Sequence, residues 1–345
     1  MYFIKYKFFL IFKFIKVYYY DKLMINDRGN KMKKLLKRYI FFLFIFIIIS
    51  FNLNAKSLRG KINLKRPLLK FIVLDVWQGD SILVVFPNRK VMLVDAGLGG
   101  SEYSKFDAGK MVVLPYLRKH HIKEINYFIM THPHSDHIGG MPYLLEHIKI
   151  DRAYDCGMPY ATELYMRCLN LIDKEYVKYL IPRLGDYIKI DPRVMVKILH
   201  PSKDWEMSNN PNDNSIVVKI KYGKVSFLLT GDAEDNAEEF MLDEGLDLSA
   251  TIIKVPHHGS DTSSSDDFID AVEPEVAIIS VGKNNKFGHP RPSTIAKYEE
   301  RGVKIYRTDY DGTVEVITDG LKYEIHTEKI RDWSVKNRYR GKYDS

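Results

Sequence analysis

The stretch that decides this fold is Thr131-His132-Pro133-His134-Ser135-Asp136-His137. It places three imidazoles and one carboxylate within six positions, directly after the apolar segment 125–130, which has the pattern of a β-strand. Imidazole nitrogens and carboxylate oxygens suit zinc, manganese or iron, and one short loop supplies two neighbouring ions more easily than it surrounds one. The stretch therefore predicts a site for two metal ions. A surface loop that is histidine-rich by chance is disfavoured, because a strand end and Gly139-Gly140 flank it.

Further ligand-type side chains follow other apolar, strand-like segments of the chain. They are Asp232, His257, His258 and His289. Layered α/β folds display their site residues at the ends of strands. Asp232 is therefore predicted to bridge two ions, whereas Asp80 and Asp95 are interpreted as carboxylates that form turns.

Taken in order, the motifs His-x-His-x-Asp-His, Gly-Asp, His-His-Gly-Ser and Gly-His-Pro resemble those of the metallo-β-lactamase superfamily. Within that superfamily, the chain is similar to the hydrolase domain of ComEC-like competence proteins and their stand-alone relatives. The phrases at residues 74–81, 94–97 and 307–312 fit the same branch, so the resemblance covers residues 69 to 325. The combined pattern is specific, whereas Gly-Asp alone would be weak.

The resemblance implies a role for each of these side chains. It assigns His132 and His134 to one ion, Asp136, His137 and His289 to the other, and Asp232 to a position between them. His257 and His258 then become candidates for acid–base catalysis beside Asp136, and either histidine could be a ligand instead.

The chain departs from the superfamily where a third histidine usually binds the first ion. Residues 212–215 contain no histidine, so Asn212, Asp213 or a water are candidates to complete that shell, and Ser215 is a further candidate contact. His200 is close in sequence, but a buried histidine at a strand end is the favoured interpretation.

A second departure is Trp77, where relatives in this branch carry glycine. The indole could stack on a base or a sugar ring, or it could cap the core. Lys283, Lys286 and Arg291 flank His289 and could hold phosphates, although such a loop is also typical of a solvated surface.

The expected chemistry follows from the metals. Two divalent ions, zinc or manganese, lower the pKa of a bound water and clamp the attacking and leaving oxygens of an in-line displacement roughly 3.5–4 Å apart. A phosphodiesterase or nuclease acting on DNA or RNA is therefore predicted. Two alternatives remain: a metal-dependent hydrolase of a small molecule such as a lactone, thioester or nucleotide, and a binding protein on the same fold without catalysis.

Overall charge does not by itself indicate nucleic acid. The 345 residues carry a net charge of +8, but residues 1–55 hold 11 Lys+Arg and only 2 Asp+Glu. Residues 56–345 therefore hold 41 basic and 42 acidic residues, a net of −1. Affinity for nucleic acid would therefore have to come from a local basic patch. The acidic residues between 232 and 247 are interpreted as the solvated face of a helix.

The N-terminal residues resemble a targeting segment. Residues 32–55 combine a basic start, an apolar core from Tyr39 to Phe51 and a polar end at Ala55, which is typical of a signal peptide. The apolar run is shorter than the ~20 residues of a spanning helix, so export is favoured over an uncleaved membrane anchor. Residues 1–31 are interpreted as an upstream extension before a true start at Met32. Transient contact with the export machinery is expected, and no stable protein partner.

The predicted architecture is an α/β, four-layer αβ/βα sandwich of the metallo-β-lactamase type, a single domain over residues 68–326, followed by a basic tail, 327–345. The capping and periodicity signals predict helices at 109–121, 140–147, 163–180, 233–244, 265–272 and 293–300. Residues 151–190 are interpreted as a helical insertion. They hold both cysteines, Cys156 and Cys168, either as a disulfide or as two buried thiols.

We expect the mature protein to begin at Lys56, because cleavage after Ala55 leaves the hydrolase domain free of the apolar segment. Mass spectrometry of the protein from its native host measures this. A cytoplasmic product that begins at Met1 would contradict export, and a membrane-bound product that keeps Tyr39 to Phe51 would indicate the anchored alternative.

Overall fold

The computed structural model describes residues 57–100, 106–204 and 207–329. The predicted extension 1–31, the signal segment 32–55 and the tail beyond residue 329 lie outside these residues. Within the described ranges, no helix has the length and apolar character needed to cross a membrane.

Two β-sheets form the centre of the described part of the chain. Their strands, together with the short pair β4 and β6, are β1 (Leu69–Val73), β2 (Ile82–Val85), β3 (Val91–Val94), β4 (Glu124–Ile125), β5 (Tyr127–Met130), β6 (Lys149–Ile150), β7 (Arg152–Asp155), β8 (Lys178–Leu180), β9 (Val194–His200), β10 (Val217–Tyr222), β11 (Val225–Leu229), β12 (Ile252–Lys254), β13 (Val276–Ile279), β14 (Lys304–Arg307), β15 (Val314–Thr318) and β16 (Tyr323–Thr327). The first sheet has the order β16-β15-β1-β2-β3-β5-β7-β8, and the second has the order β14-β13-β12-β11-β10-β9. Each sheet therefore contains both parallel and antiparallel pairs.

Helices cover the outer faces of both sheets. They are α1 (Leu114–Lys119), which continues a π-helical turn at Gly109–Val113, α2 (Ser135–Ile138), α3 (Met141–His147), α4 (Glu163–Lys174), α5 (Asp235–Asp243), α6 (Asp266–Val272), α7 (Pro292–Glu300) and α8 (Thr308–Asp311). Short 3-10 turns at Pro211–Asn214 and Pro256–Gly259 lie next to the candidate site.

Alternation along the strands explains the layers. In β1, Phe71 and Val73 enter the core between the two sheets, while Ile72 enters the core under α1, α3 and α4. In β11, Phe227 faces the same central core, where its ring stacks on that of Phe71 at 4.6 Å between centroids. Leu228 faces the opposite way, towards α5, α6 and α7. This arrangement confirms the predicted four-layer sandwich.

The predicted helices agree with the structure to within two residues at each end, with one exception. The helix predicted at 163–180 ends at Lys174, and Tyr176 then adopts a left-handed backbone with φ of 54°. Residues Lys178–Leu180 pair in parallel with Arg152–Asp155 as the edge of the first sheet. The prediction of a helical insertion at 151–190 is therefore wrong. The segment is a β-α-β extension of the sheet, because β7 supplies backbone partners that a local pattern does not reveal.

The two cysteines do not form a disulfide. Both are buried free thiols. Cys156 lies in the core between the sheets and Cys168 lies in the core under the helices, so the first sheet separates them.

Gly139 and Gly140 fix the position of the histidine-rich stretch. A Cβ on Gly139 would lie 2.0 Å from the backbone nitrogen of Gly99, and one on Gly140 would lie 2.4 Å from the carbonyl oxygen of Ala96. Larger residues cannot fit there. The glycines thus let the segment after β3 touch the segment after β5, where the Ala96 N–H donates to the His137 carbonyl at 2.7 Å.

We expect Phe227→Ala to lower the free energy of unfolding by about 3–5 kcal/mol, because it removes a buried ring and leaves a cavity between the sheets. Denaturant-induced unfolding of residues 56–345 measures the change. Leu64→Ala, at a side chain that is 76% exposed, is the control and should change stability little. A loss of less than about 1 kcal/mol for Phe227→Ala would contradict a packed interface between the sheets.

Candidate metal centre

The ends of strands from both sheets bring the candidate ligands together. The His132 to His137 stretch follows β5 of the first sheet, and α2 begins immediately after His134. Asp232 follows β11 of the second sheet, and the pair His257-His258 follows β12. The predicted ligands therefore meet where the edges of the two sheets face each other.

A first group of ligand atoms gathers around the carboxylate of Asp232. His132, His137 and Asp232 each place one ligand atom within 4.8 Å of the others, and all three are buried. The His132 Nε2 atom is 3.1 Å from His134 Nδ1 and 3.9 Å from Asp232 Oδ2. His134 thus adds a further nitrogen to the same group.

A second group shares His137 with the first. It consists of Asp136, His137 and His258. The His258 Nε2 atom is 3.4 Å from Asp136 Oδ2 and 3.4 Å from Asp232 Oδ2, and His137 Nε2 is 3.1 Å from Asp232 Oδ2. The Oδ2 atom of Asp232 therefore lies within 4 Å of imidazole nitrogens from both groups, and its role as a bridge between two ions stays a prediction.

The donor set fits divalent cations. The Nε2 atoms of His137 and His258 and the Oδ1 atom of Asp232 are buried and have no hydrogen-bond partner. Buried polar atoms are costly unless they are paired or coordinate a metal. Imidazole nitrogens with carboxylate oxygens are the ligands expected for zinc or manganese.

Hydrogen bonds behind the ligands set their orientation. The Nδ1 atom of His137 lies 2.8 Å from Asp95 Oδ2, and Asp95 also accepts from the backbone N–H and the hydroxyl of Thr131. His258 Nδ1 donates to the Ser280 carbonyl at 2.9 Å. Each ring therefore turns Nε2 towards the centre, as supporting partners of metal-bound histidines do. Asp95 does more than form a turn, and its place directly after β3 was the sequence signal for this.

Asp80 also has a role beyond a turn. Its carboxylate pairs with Lys254 Nζ at 2.7 Å, and both side chains are almost completely buried. The other oxygen of Asp80 is 3.5 Å from His258 Nδ1. The pair joins the β1–β2 connection of the first sheet to β12 of the second directly beneath the centre. A lysine inside an apolar strand was the signal that the sequence interpretation missed.

His257 approaches the centre from the solvent side. Its Nδ1 atom is 2.7 Å from Glu234 Oε1, its Nε2 atom is 3.9 Å from Asp232 Oδ2, and its side chain is 22% exposed. Asn210 and Asn212 donate to the two oxygens of Glu234 at 2.7 and 2.9 Å. Glu234 is therefore not part of a solvated helix face. It is a fixed acceptor that points His257 Nε2 at the centre.

The candidates for the missing ligand of the first group have other partners. Asn212 donates its amide to Glu234, Asp213 accepts from Asn236 at 2.9 Å, and the Ser215 hydroxyl accepts from the Asp232 N–H at 3.1 Å. None of them joins a ligand group within the described residues. His200 is buried and donates to the Ser215 carbonyl at 2.9 Å, which agrees with its interpretation as a core histidine.

The structure brings His258, rather than His289, into the second group. His289 belongs to no ligand group among the described residues. Its ring lies 5.4 Å from that of His257 and is parallel to that of Phe287. Lys286 is exposed on the same loop, with Nζ 5.1 Å from the Phe287 ring. The sequence could not rank the two histidines because both follow strands of the second sheet.

The charges of neighbouring side chains shift the pKa values of His258 and Asp232. Although burial opposes it, the carboxylates of Asp232 and Asp136 raise the pKa of His258 to about 9. Burial likewise opposes ionisation of Asp232, but His137 and His258 hold its pKa well below the usual range. A metal ion therefore competes with protons at His137 and His258, where the pKa is raised, whereas burial lowers the pKa of His132 and no such competition arises there.

We expect metal analysis after dialysis to give about two ions per chain, since Asp232 Oδ2 lies within 4 Å of imidazole nitrogens from two ligand groups. His258→Ala should lower this to about one, because it removes a nitrogen of the second group, while His289→Ala should leave the content unchanged. The reverse result for these two variants would place His289 in the centre instead of His258.

We also expect affinity for the second ion to rise with pH up to about 9, because His258 holds a proton below that pKa and must lose it to bind. Titration calorimetry in two buffers with different ionisation enthalpies measures the proton release. Heats that do not depend on the buffer at neutral pH would rule out this competition.

Sequence comparisons agree with the geometry. Residues 74–283 match the metallo-beta-lactamase superfamily. The chain is 31% identical over 253 residues to ComE operon protein 3 of Bacillus subtilis, covering 70% of this chain and 32% of that protein. It is 28% identical over 244 residues to competence protein ComA of Neisseria gonorrhoeae, covering 70% and 31%. It is also 26% identical over 159 residues to ribonuclease J of Helicobacter pylori, covering 45% and 21%.

The chain spans about a third or less of the length of these relatives. The matched residues include every member of both ligand groups. Proteins of this superfamily are typically hydrolases that bind divalent metals, often two. This chain belongs to the metallo-beta-lactamase superfamily, with ComEC-like competence proteins among its relatives.

Proposed function

We propose that this chain is a metal-dependent phosphodiesterase that cleaves nucleic acid. The observation that carries the proposal is the position of Asp232 Oδ2, which lies within 4 Å of imidazole nitrogens from both ligand groups. A carboxylate shared in this way holds two ions close enough to act on one phosphodiester. The similarity to two competence proteins and a ribonuclease supports a nucleic-acid substrate.

Zinc or manganese ions bound here would supply an activated water and the positive charge that in-line displacement at phosphorus needs. The protein's part begins with Asp136 and Asp232, whose carboxylates offset the charge of the ions. His132, His134, His137 and His258 fix the geometry through their nitrogens. Asp95 and Ser280 prevent two of these rings from turning away.

His257 is the proposed proton donor to the leaving oxygen. It is partly exposed, so a substrate can reach it, and Glu234 fixes Nδ1, so that Nε2 faces the centre. A positioned histidine of this kind is a common general acid. His258 is buried between two carboxylates and serves as a ligand in this proposal. The two neighbouring histidines thus have different tasks.

The same centre would also suit a small ester or lactone, and the assay therefore includes both substrate types. A binding protein without catalysis is disfavoured because the two groups gather buried imidazole nitrogens and carboxylate oxygens that have the chemistry of a metal centre. We also propose that the protein is exported, on the support of the basic and apolar pattern at 32–55.

We expect Asp136→Asn to abolish hydrolysis of phosphodiesters, because it removes a charge that the second ion needs. His257→Ala should slow cleavage of an oligonucleotide by roughly 10²–10⁴-fold while retaining the metal content. The rate on bis(p-nitrophenyl) phosphate should fall much less, because the leaving group of this substrate departs without a proton. Steady-state rates on both substrates measure the difference.

Glu234→Gln is the companion variant, because it keeps an acceptor for His257 but removes the charge. It should show the same dependence on the leaving group with a smaller loss. Equal losses on both substrates in His257→Ala would rule out the acid role. Hydrolysis of a lactone with no activity on any phosphodiester would overturn the proposed function.

A further inference from the structure

We propose that Trp77 and the loop of residues 281–291 form a binding surface for single-stranded nucleic acid next to the metal centre. This inference rests on the proposed function and names its substrate class. This surface, the strand-binding loop with Trp77, combines two exposed aromatic rings with exposed lysines that form no ion pair with the residues that the structure describes.

Trp77 occupies a position that costs stability without burying its ring. Its backbone is left-handed, with φ of 67°, and a bulky residue rarely adopts that conformation. The indole is nevertheless 45% exposed. Its Nε1 atom donates to the Lys283 carbonyl at 3.4 Å, and its ring meets Phe106 edge-on, so the indole is oriented while part of it stays open. A core-capping role would bury more of the ring.

Phe287 supplies the second ring at the other end of the loop. It is 47% exposed. Its ring is parallel to that of His289 at 6.0 Å, and His289 in turn neighbours His257 at 5.4 Å. Because His257 Nε2 faces Asp232, a base stacked on Phe287 would lie close to the reacting phosphate.

The loop is held in shape rather than left free. Asn285 donates to the carbonyls of Gly282 and His289 at 3.0 and 2.6 Å and accepts from the N–H groups of Phe287 and His289. The N–H of Gly282 donates to the Gln78 side chain at 3.1 Å, next to Trp77. Both rings are therefore fixed to one rigid element.

Charge distinguishes this loop from the rest of the domain. Residues 281–291 contain Lys283, Lys286 and Arg291 and no acidic residue, while residues 56–345 together carry a net of −1. Arg291 approaches Asp261 at 3.6 Å. Lys283 and Lys286 are exposed, and neither forms an ion pair with any described residue. This is the local patch that an almost neutral domain needs for a polyanion.

The combination of exposed aromatic rings and lysines favours single-stranded over duplex nucleic acid. Exposed aromatic faces stack on unpaired bases, and lysines beside them contact the phosphates between those bases. A duplex keeps its bases inside and offers no such faces. A mononucleotide could use only one ring, so affinity should grow with strand length.

The test compares Trp77→Gly and Phe287→Ala with the unmodified chain. Glycine suits the left-handed backbone at position 77, so Trp77→Gly removes the indole without straining the fold. Tyr187→Ala is the matched control, since Tyr187 is also an exposed ring beside a lysine, with Lys197 Nζ 5.9 Å from its centroid. Thermal unfolding of every variant checks that the fold is kept.

Binding is measured with metal-free protein, to prevent cleavage, by fluorescence anisotropy of labelled single-stranded DNA, single-stranded RNA and duplex DNA. We expect each of the two variants to weaken single-strand binding by about 5- to 100-fold, the effect of losing one stacked base. Tyr187→Ala should have no effect, and the duplex should bind more weakly than the single strands. Comparing DNA with RNA shows which sugar is preferred.

Hydrolysis of bis(p-nitrophenyl) phosphate by the metal-loaded enzyme separates this inference from the proposed function. Tyr187→Ala should keep the rate of the unmodified chain on that substrate, and in Trp77→Gly and Phe287→Ala this rate should fall much less than the single-strand affinity. If this activity is present but single-strand affinity is unchanged in Trp77→Gly and Phe287→Ala, the strand-binding loop is overturned. If the activity is absent but the variants lose single-strand affinity, the surface stands and the proposed function fails. Equal affinity for duplex and single strands would also overturn the inference.

Discussion

Alignment of the two sheets brings the candidate ligands together at the carboxylate of Asp232. One oxygen of this side chain faces the histidines that follow β5 of the first sheet and the histidine pair that follows β12 of the second. The centre therefore belongs to neither sheet alone. It exists only while the two sheets keep their alignment, which the packing of Phe71 on Phe227 and the rest of the central core maintains. Burial of apolar surface is thus what holds the ligand groups opposite each other.

Burial of the charged groups of this centre costs free energy. Two carboxylates and several imidazoles lie in a dry environment, where an uncompensated charge costs several kcal/mol. The protein offsets part of this cost with protons and with the buried pair of Asp80 and Lys254. Divalent ions would add to this compensation, because the buried Nε2 atoms of His137 and His258 have no hydrogen-bond partner and lie 3.1 and 3.4 Å from Asp232 Oδ2. The left-handed backbone at His257 and His258 belongs to the same pattern, since strain of this kind collects at functional sites.

The side chains around the metal centre orient the imidazole rings of its histidines. Asp95, Ser280 and Glu234 each hold one imidazole nitrogen and so decide where the other points. Glu234 is held in turn by Asn210 and Asn212, so the position of His257 depends on the segment before β10 as well as on β12. Trp77 and the strand-binding loop lie one step further out, where exposure and charge govern contact with a substrate.

Alternation, capping and spacing are local properties of the chain, so the ends of most helices and the ligand stretch from His132 to His137 could be predicted from the sequence, while the four layers followed from the resemblance to the metallo-β-lactamase superfamily. A carboxylate directly after a strand was likewise a candidate ligand, and Asp232 Oδ2 lies within 4 Å of imidazole nitrogens from both groups. Only the tertiary structure decided that residues 178–180 extend the first sheet, that His258 rather than His289 joins the ligand group, and that Asp95, Lys254 and Glu234 support it. Each of these outcomes depends on a contact between residues far apart along the chain. Such distances are set by how the two sheets pack, and no local pattern encodes them.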